Sequence, residues 1–494
     1  LLRLALILAA ALILIGAGAV MNLSGKQDLG TSDPEAAEFY QRGLDHFHAF
    51  QYNLAREQLE AAIAQDPDFA AAVAALAVVH SQSGSRAAAD SLAARADSLA
   101  AAIEDDDQRM LVQLKLASYH LGGHVADRDS LLEILKKHRP HDIDVLYART
   151  LKARAENDQE TLGAIWQEIL KRNPNHAAAY NELGYHAYYA GDYERAIDLL
   201  QRYAYLAPDL ANPHDSLGDV LMHVGRYEEA EQEFRKALAK QPDFMPSIFN
   251  LARVYVERGQ LKKGIDLLES LRGRTAGTRY ESHVDELAIA TYYTYHLHPE
   301  LEQAVARYVE HYPETPQALF YRTMMLAGRG DAEAANALMD STMTALQSQY
   351  GKDGSPRIER QLQIVEAQMN ALLRESADDA AGAEKYWGRA LELTDPGSPI
   401  DQRFLREQYA ACLLQNGKPQ EALSQVHLVL EENPRQLRSL ALAAEACIAL
   451  DRRGQAKRYV ELLEKAIGLA DETHPLRKRL EGLQRELHGK SPSS

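Results

Sequence analysis

The amino-acid sequence predicts an all-α fold: an α-solenoid of about twelve helical hairpins, preceded by a hydrophobic amino-terminal helix. Three observations carry that expectation. A period of 34 residues aligns 177–210 with 211–244 without a gap. The composition is rich in Ala, Leu and Glu and lacks the alternating Val/Ile/Thr runs that mark strands. Gly and Pro recur at fixed points of the period, where helices must cross or stop.

Each recurring position has a steric task. Leu183-Gly184 returns as Leu217-Gly218, Gly191-Asp192-Tyr193 as Gly225-Arg226-Tyr227, Ala196 as Ala230 and Pro208 as Pro242. Gly184 and Gly218 fall where the two helices of a hairpin cross, and a missing side chain lets the backbones approach. Ala196 and Ala230 do the same from the second helix. Gly191 and Gly225 end the first helix in the left-handed cap conformation. Pro208 and Pro242 stop the second helix, because proline has no N–H and crowds the preceding turn. Tyr180, Leu200, Phe234 and Ala237 fill the space between helices. One hairpin cannot bury its own apolar faces, so neighbours must stack into a continuous core. This order of small, aromatic and proline positions resembles the tetratricopeptide repeat (TPR). The resemblance implies a right-handed superhelix whose concave groove binds peptide or protein partners.

The same template places the other hairpins. Gly43, Ala55, Ala62 and Pro67 fit residues 36–69, and Ala77, Gly84, Ala89 and Ala96 fit 70–103. A looser hairpin covers 104–142, and Trp166 and Pro174 belong to 143–176. After the two best copies come 245–279, 282–315, 316–349, a degenerate unit with a long first helix at 357–399, then 403–436 and 437–470. The expected organisation is one superhelix over 36–470, a capping helix within 471–488 and a disordered tail at 489–494.

The amino terminus reads differently. Leu4 to Val20 is a run without a charged or strongly polar side chain. As a helix it would measure roughly 25 Å, against about 30 Å of bilayer hydrocarbon, and Leu1, Leu2, Met21 and Leu23 extend it. Residues 1–23 are therefore a transmembrane anchor or a cleaved signal peptide, the latter because Ala17-Gly18-Ala19 has the small-residue pattern of a cleavage site. A linker, 24–35, follows. Arg3 before the run and Asp28, Asp33 and Glu35 after it orient the repeats outward. The expected location is the cell membrane, single-pass with the repeats on the periplasmic side, or, if the segment is cleaved, the periplasm. From Ala36 onward, the block GLDHFHAFQYNLAREQLEAAIAQDPDFAAAVAALA and the irregular hairpin after it resemble the extracytoplasmic repeat region of bacterial one-span Ser/Thr kinases. The chain has no kinase motif, so that resemblance implies the sensory portion of a truncated transmembrane signalling enzyme. It stands as the alternative to a free-standing scaffold.

Composition and motifs narrow the function. A formal charge of −17 and no long basic run argue against nucleic acid. The run Lys136-Lys137-His138-Arg139 suits a helix carboxyl terminus. Cys412 and Cys447 fall at equivalent points of adjacent repeats, too far apart for a disulfide, and read as small core residues. The sequence has no phosphate-binding loop, zinc-protease motif, CxxC pair or dinucleotide fingerprint. Histidines such as His120, His296 and His298 have no acidic or cysteine partners at ligand spacing. No catalytic residue, cofactor or metal is expected, and no enzyme.

What remains is surface. The TPR resemblance implies that the second, fifth, ninth, twelfth and thirteenth positions of each repeat face a ligand. On the clearest copies these give Asn181, Tyr185, Tyr188 and Tyr189, then Asn212, Asp215, Asp219, Met222 and His223, then Phe249, Arg253 and Glu257. An acidic, tyrosine-rich groove over 177–257 is the expected partner-binding site, since tyrosine offers wide contact with a polar tip. The carboxylate clamp of chaperone-binding repeats is disfavoured, because acidic Glu182, Asp215 and Asp219 stand where that clamp needs cations or amides.

Overall fold

The computed structural model describes residues 29–488, apart from 49–50, 124, 157, 279, 314, 352–355 and 395–398. The expected anchor or signal segment 1–23, the first part of the linker 24–35 and the tail 489–494 lie outside the described residues. Among the described residues the secondary structure is helix and turn, with no strand.

The hairpins stand where glycine and proline placed them. In order they are Pro34–His48 with Tyr52–Gln65, Ala70–Gln82 with Arg86–Ala100, Asp106–Ser118 with Arg128–His138, and Ile143–Ala155 with Gln159–Arg172. Then come Ala177–Tyr189 with Tyr193–Leu206, Ala211–His223 with Tyr227–Lys240, Met245–Glu257 with Leu261–Glu269, and His283–Thr294 with His298–His311. The last four are Pro316–Gly328 with Ala332–Tyr350, Pro356–Ser376 with Ala380–Leu393, Pro399–Gln415 with Pro419–Glu432, and Leu437–Ala449 with Arg453–Ala466. The helix Pro475–His488 closes the series. It buries Leu476, Leu480 and Leu483 on one face.

The steric tasks read from the sequence are met. A Cβ at Gly184 would lie 2.7 Å from Leu200 Cγ, and one at Gly218 2.7 Å from Phe234 Cε1. Gly191 and Gly225 adopt φ of 78° and 77°, the left-handed region where glycine carries no steric penalty. His120, His296, Asp378 and Asp451 take the same conformation, with φ of 54–57°, at the corresponding ends of first helices. The choice of glycine, histidine or aspartate there is thus one of cost rather than geometry. Second helices often start on an aspartate: Asp158, Asp192, Asp331 and Asp379 each accept a hydrogen bond from a backbone N–H three residues on. Cys412 and Cys447 are free and buried.

Contacts divide the chain into two compact units, one up to Leu183 and one from Gly184, where the sequence reading had one superhelix over 36–470. The boundary falls inside the helix Ala177–Tyr189. In the first unit four hairpins stack through Tyr40, Leu59, Phe69, Val73, Leu116 and Leu135, all buried. The second unit returns on itself. Asn433 Nδ2 donates to Tyr227 Oη at 2.9 Å, and Arg435 pairs with Glu228 at 2.5 and 3.0 Å. One hairpin further, Asp471 N–H donates to the Gly259 carbonyl at 3.1 Å, and its carboxylate accepts from Lys262 N–H at 2.8 Å. Residues more than two hundred positions apart thereby share one interior, with Asn433 wholly buried.

Candidate functional site

The twelve residues expected to line a partner groove separate by exposure. Tyr189 is 51 % exposed. Asn181, Tyr185, Asn212, Asp219, Arg253 and Glu257 are half-buried. Tyr188, Asp215, Met222, His223 and Phe249 are buried. For these five the expectation of an open groove does not hold, and the contacts give the reason.

His223 is covered by the returning part of its own unit. Arg403, on Pro399–Gln415, donates to His223 Nδ1 at 2.8 Å and approaches its carbonyl at 3.3 Å. That donation leaves the ring proton on Nε2, which faces Tyr193 Oη at 3.3 Å and Glu432 at 3.5 Å. Burial, then the Arg403 charge, hold the imidazole pKa below its ordinary value, so it sits neutral. The Tyr188 ring meets that imidazole edge-on at 5.1 Å. Arg403 also lies 3.8 Å from Glu257.

The acidic positions serve neighbouring repeats. Asp215 accepts from Ser247 Oγ at 2.7 Å and Asn250 Nδ2 at 3.4 Å. Burial raises its pKa to about 6. Arg253 stands 3.9 Å from Asp219 and donates to Asn250 Oδ1 at 3.1 Å. Phe249 packs with Ile248, Ala252, Leu268 and Val284. Asp215 and Phe249 thus join neighbouring helices rather than offer a free surface, while Asp219 and Arg253 keep part of theirs.

Open space lies instead in the first unit. A cavity of about 550 Å³ is bounded by Tyr40, Leu44 and His48 from Pro34–His48, by Gln108, Leu111 and Lys115 from Asp106–Ser118, and by Asp144 and His176. A smaller chamber of about 20 Å³ shares Leu44, His48, Lys115 and Asp144 with it. Tyr40, Leu44, His48, Ala71 and Asp144 occupy the fifth, ninth, thirteenth or second positions of their repeats, the register that the sequence reading applied only to residues 177–257. Carried onto the first four hairpins, that register finds this wall. Gln108 and Lys115, fifth and twelfth in 104–142, fall in the same register.

Lys115 is the electrostatic centre of the wall. It is 6 % exposed, donates to Tyr40 Oη at 2.8 Å and lies 3.1 Å from Asp144 Oδ2. Burial opposes its charge, yet Asp144 and Tyr40 outweigh that and raise its pKa, so it is an ammonium. Burial raises the Asp144 carboxyl despite the lysine beside it. Opposite, His48 stacks on Tyr147 at 5.1 Å and on His176 at 4.5 Å. His176 Nδ1 accepts from Ala179 N–H at 3.1 Å, which puts its proton on Nε2, 2.9 Å from Tyr147 Oη. Burial lowers the His176 pKa to about 4 and depresses His48 as well, so both rings are neutral.

Family models of the tetratricopeptide repeat match residues 163–211 and 221–282. The chain carries TPR repeats of the helix–turn–helix kind described above. It is similar to the TPR repeat-containing protein PA4667 of Pseudomonas aeruginosa, at 32 % identity over 108 residues, and the match spans 22 % of this chain and 18 % of that protein. Among solved structures, yeast Tom70 aligns over 93 % of this chain and 97 % of its own at 13 % identity, with a TM-score of 0.32. The human IFIT1 dimer aligns over 89 % of this chain and 96 % of its own at 15 % identity, with a TM-score of 0.44. No helix of the described residues is long and apolar enough to cross a membrane, and the expected span 1–23 lies outside them.

Proposed function

We propose that this chain is a non-enzymatic scaffold that binds protein or peptide partners on the inner face of its repeats, outside the cytoplasm. The observation that carries the binding reading is the cavity in the first unit. Its wall includes positions that face ligands in TPR proteins, among them Tyr40, Leu44, His48 and Asp144, and its volume is in the range of binding pockets. Asn181, Tyr185, Tyr189, Asp219 and Arg253 keep accessible surface and remain candidate contacts. The extracytoplasmic placement rests on the apolar run Leu4–Val20 and the charges flanking it.

Selection of a displayed random-peptide library on the immobilised full chain, followed by hydrogen exchange of the complex, tests the binding reading. Protection within Pro34–His48, Asp106–Ser118 and Ile143–Ala155, or around Tyr185–Tyr189, supports it. Failure to enrich any peptide, or protection confined to second helices such as Tyr193–Leu206, overturns it. Protease treatment of intact spheroplasts tests the location: a carboxyl-terminal tag should be digested, and a resistant tag contradicts the outward placement.

A further inference from the structure

We propose that the cavity of the first unit takes the cationic side chain of a partner peptide, lysine or arginine, with Asp45 as its counter-charge. The inference rests on the peptide-binding reading and specifies what that site recognises.

The charges of the wall are mostly matched. Lys115 has Asp144 at 3.1 Å, Asp142 has Arg139 at 3.7 Å, and Arg172 has Glu168 at 3.6 Å. Asp45 lines the cavity while staying exposed to solvent, has Asn173 as its hydrogen-bond partner, and among the described residues has no Lys or Arg in an ion pair. An added cation therefore completes the pairing, and an added anion would meet an unmatched carboxylate.

Partial desolvation at Asp45 and burial at Asp144 hold both carboxyls above their ordinary values, and an incoming positive charge would favour their ionised form. Ser118 is 7 % exposed and, among the described residues, its Oγ has no hydrogen-bond partner. It lines the small chamber that shares Lys115 and Asp144 with the cavity, a space for about one water.

The test uses peptides selected on the full chain and measured by fluorescence anisotropy. Binders should carry Lys or Arg at one fixed position. Replacing that residue by norleucine, or Asp45 by Asn, should each weaken binding about tenfold, and the two changes together should cost less than their product. Ala71→Trp, which narrows the cavity from an uncharged position of its wall, should also abolish binding while circular dichroism stays unchanged. Binders without a basic residue, or binders indifferent to Asp45→Asn and Ala71→Trp, overturn this inference and leave the scaffold reading standing. A selection that yields no binder overturns both.

Discussion

The same substitution, glycine to alanine, should have opposite effects at two helical positions. At Gly218 an added Cβ would lie 2.7 Å from Phe234 Cε1 and 2.9 Å from two further ring atoms. Ordinary carbon contacts are about 3.5–4.0 Å, so the ring or the helix must retreat by about 1 Å. Phe234 is completely buried and has no free direction to move. Overpacking of this kind costs about 1–3 kcal/mol. Alanine returns about 1 kcal/mol of helix propensity, leaving Gly218→Ala about 0–2 kcal/mol less stable. Gly482, inside Pro475–His488, has nothing within 4 Å of its Cβ position. There only the propensity gain operates, so Gly482→Ala should stabilise its helix by about 1 kcal/mol. Because stacked repeats lose stability region by region, the assay is hydrogen exchange resolved to residues 211–223 and 475–488, with urea melts alongside. The two variants should differ by about 1–3 kcal/mol. A Gly218→Ala protein as stabilised as Gly482→Ala would refute the close-crossing argument.

Three further outcomes follow from buried polar groups. Asp215 binds its proton more tightly when folded, at about 6, than an ordinary carboxyl near 4. Its ionisation therefore costs stability as pH rises through that window, and Asp215→Asn should stabilise by about 1–3 kcal/mol at pH 8 and by little at pH 4. His176 behaves oppositely: its folded pKa of about 4 lies below the unfolded value. Stability should fall as pH drops from about 6.5 toward 4, and His176→Gln should flatten that limb in urea melts taken at each pH. Asn433→Ala leaves the buried Tyr227 hydroxyl without its 2.9 Å partner. It should cost about 1–3 kcal/mol and speed exchange in both 211–240 and 437–449, segments far apart in sequence.

The hairpins were legible because glycine and proline mark backbone events. Gly218 must be small where Phe234 crosses, and Gly225 must tolerate φ of 77°. Those demands repeat every 34 residues whatever the side chains around them do. The exposure of the groove was not legible, because periodicity reports neighbours one repeat away. Arg403 reaches His223 across 180 positions, and Asn433 reaches Tyr227 across 206. Nothing in the period of 211–244 announces either partner. Tyr188 and Tyr189 also look alike in the repeat register, both at groove positions. Yet Tyr188 is buried against His223, while Tyr189 is 51 % exposed. Lys115 stands at a groove position of 104–142, outside the 177–257 stretch where the groove was expected, and its burial is set by Tyr40 and Asp144 from other repeats.

The most direct test asks whether the face over 211–257 is closed by its own unit. Glu228→Cys and Arg435→Cys place thiols at an ion pair joining residues 207 apart, while native Cys412 and Cys447 stay buried. A short bis-maleimide, applied to dilute protein, should join the two tryptic peptides within one chain, and guanidinium should abolish the product. Thiols that give only single adducts or links between chains would contradict the closure and restore 211–257 as open surface.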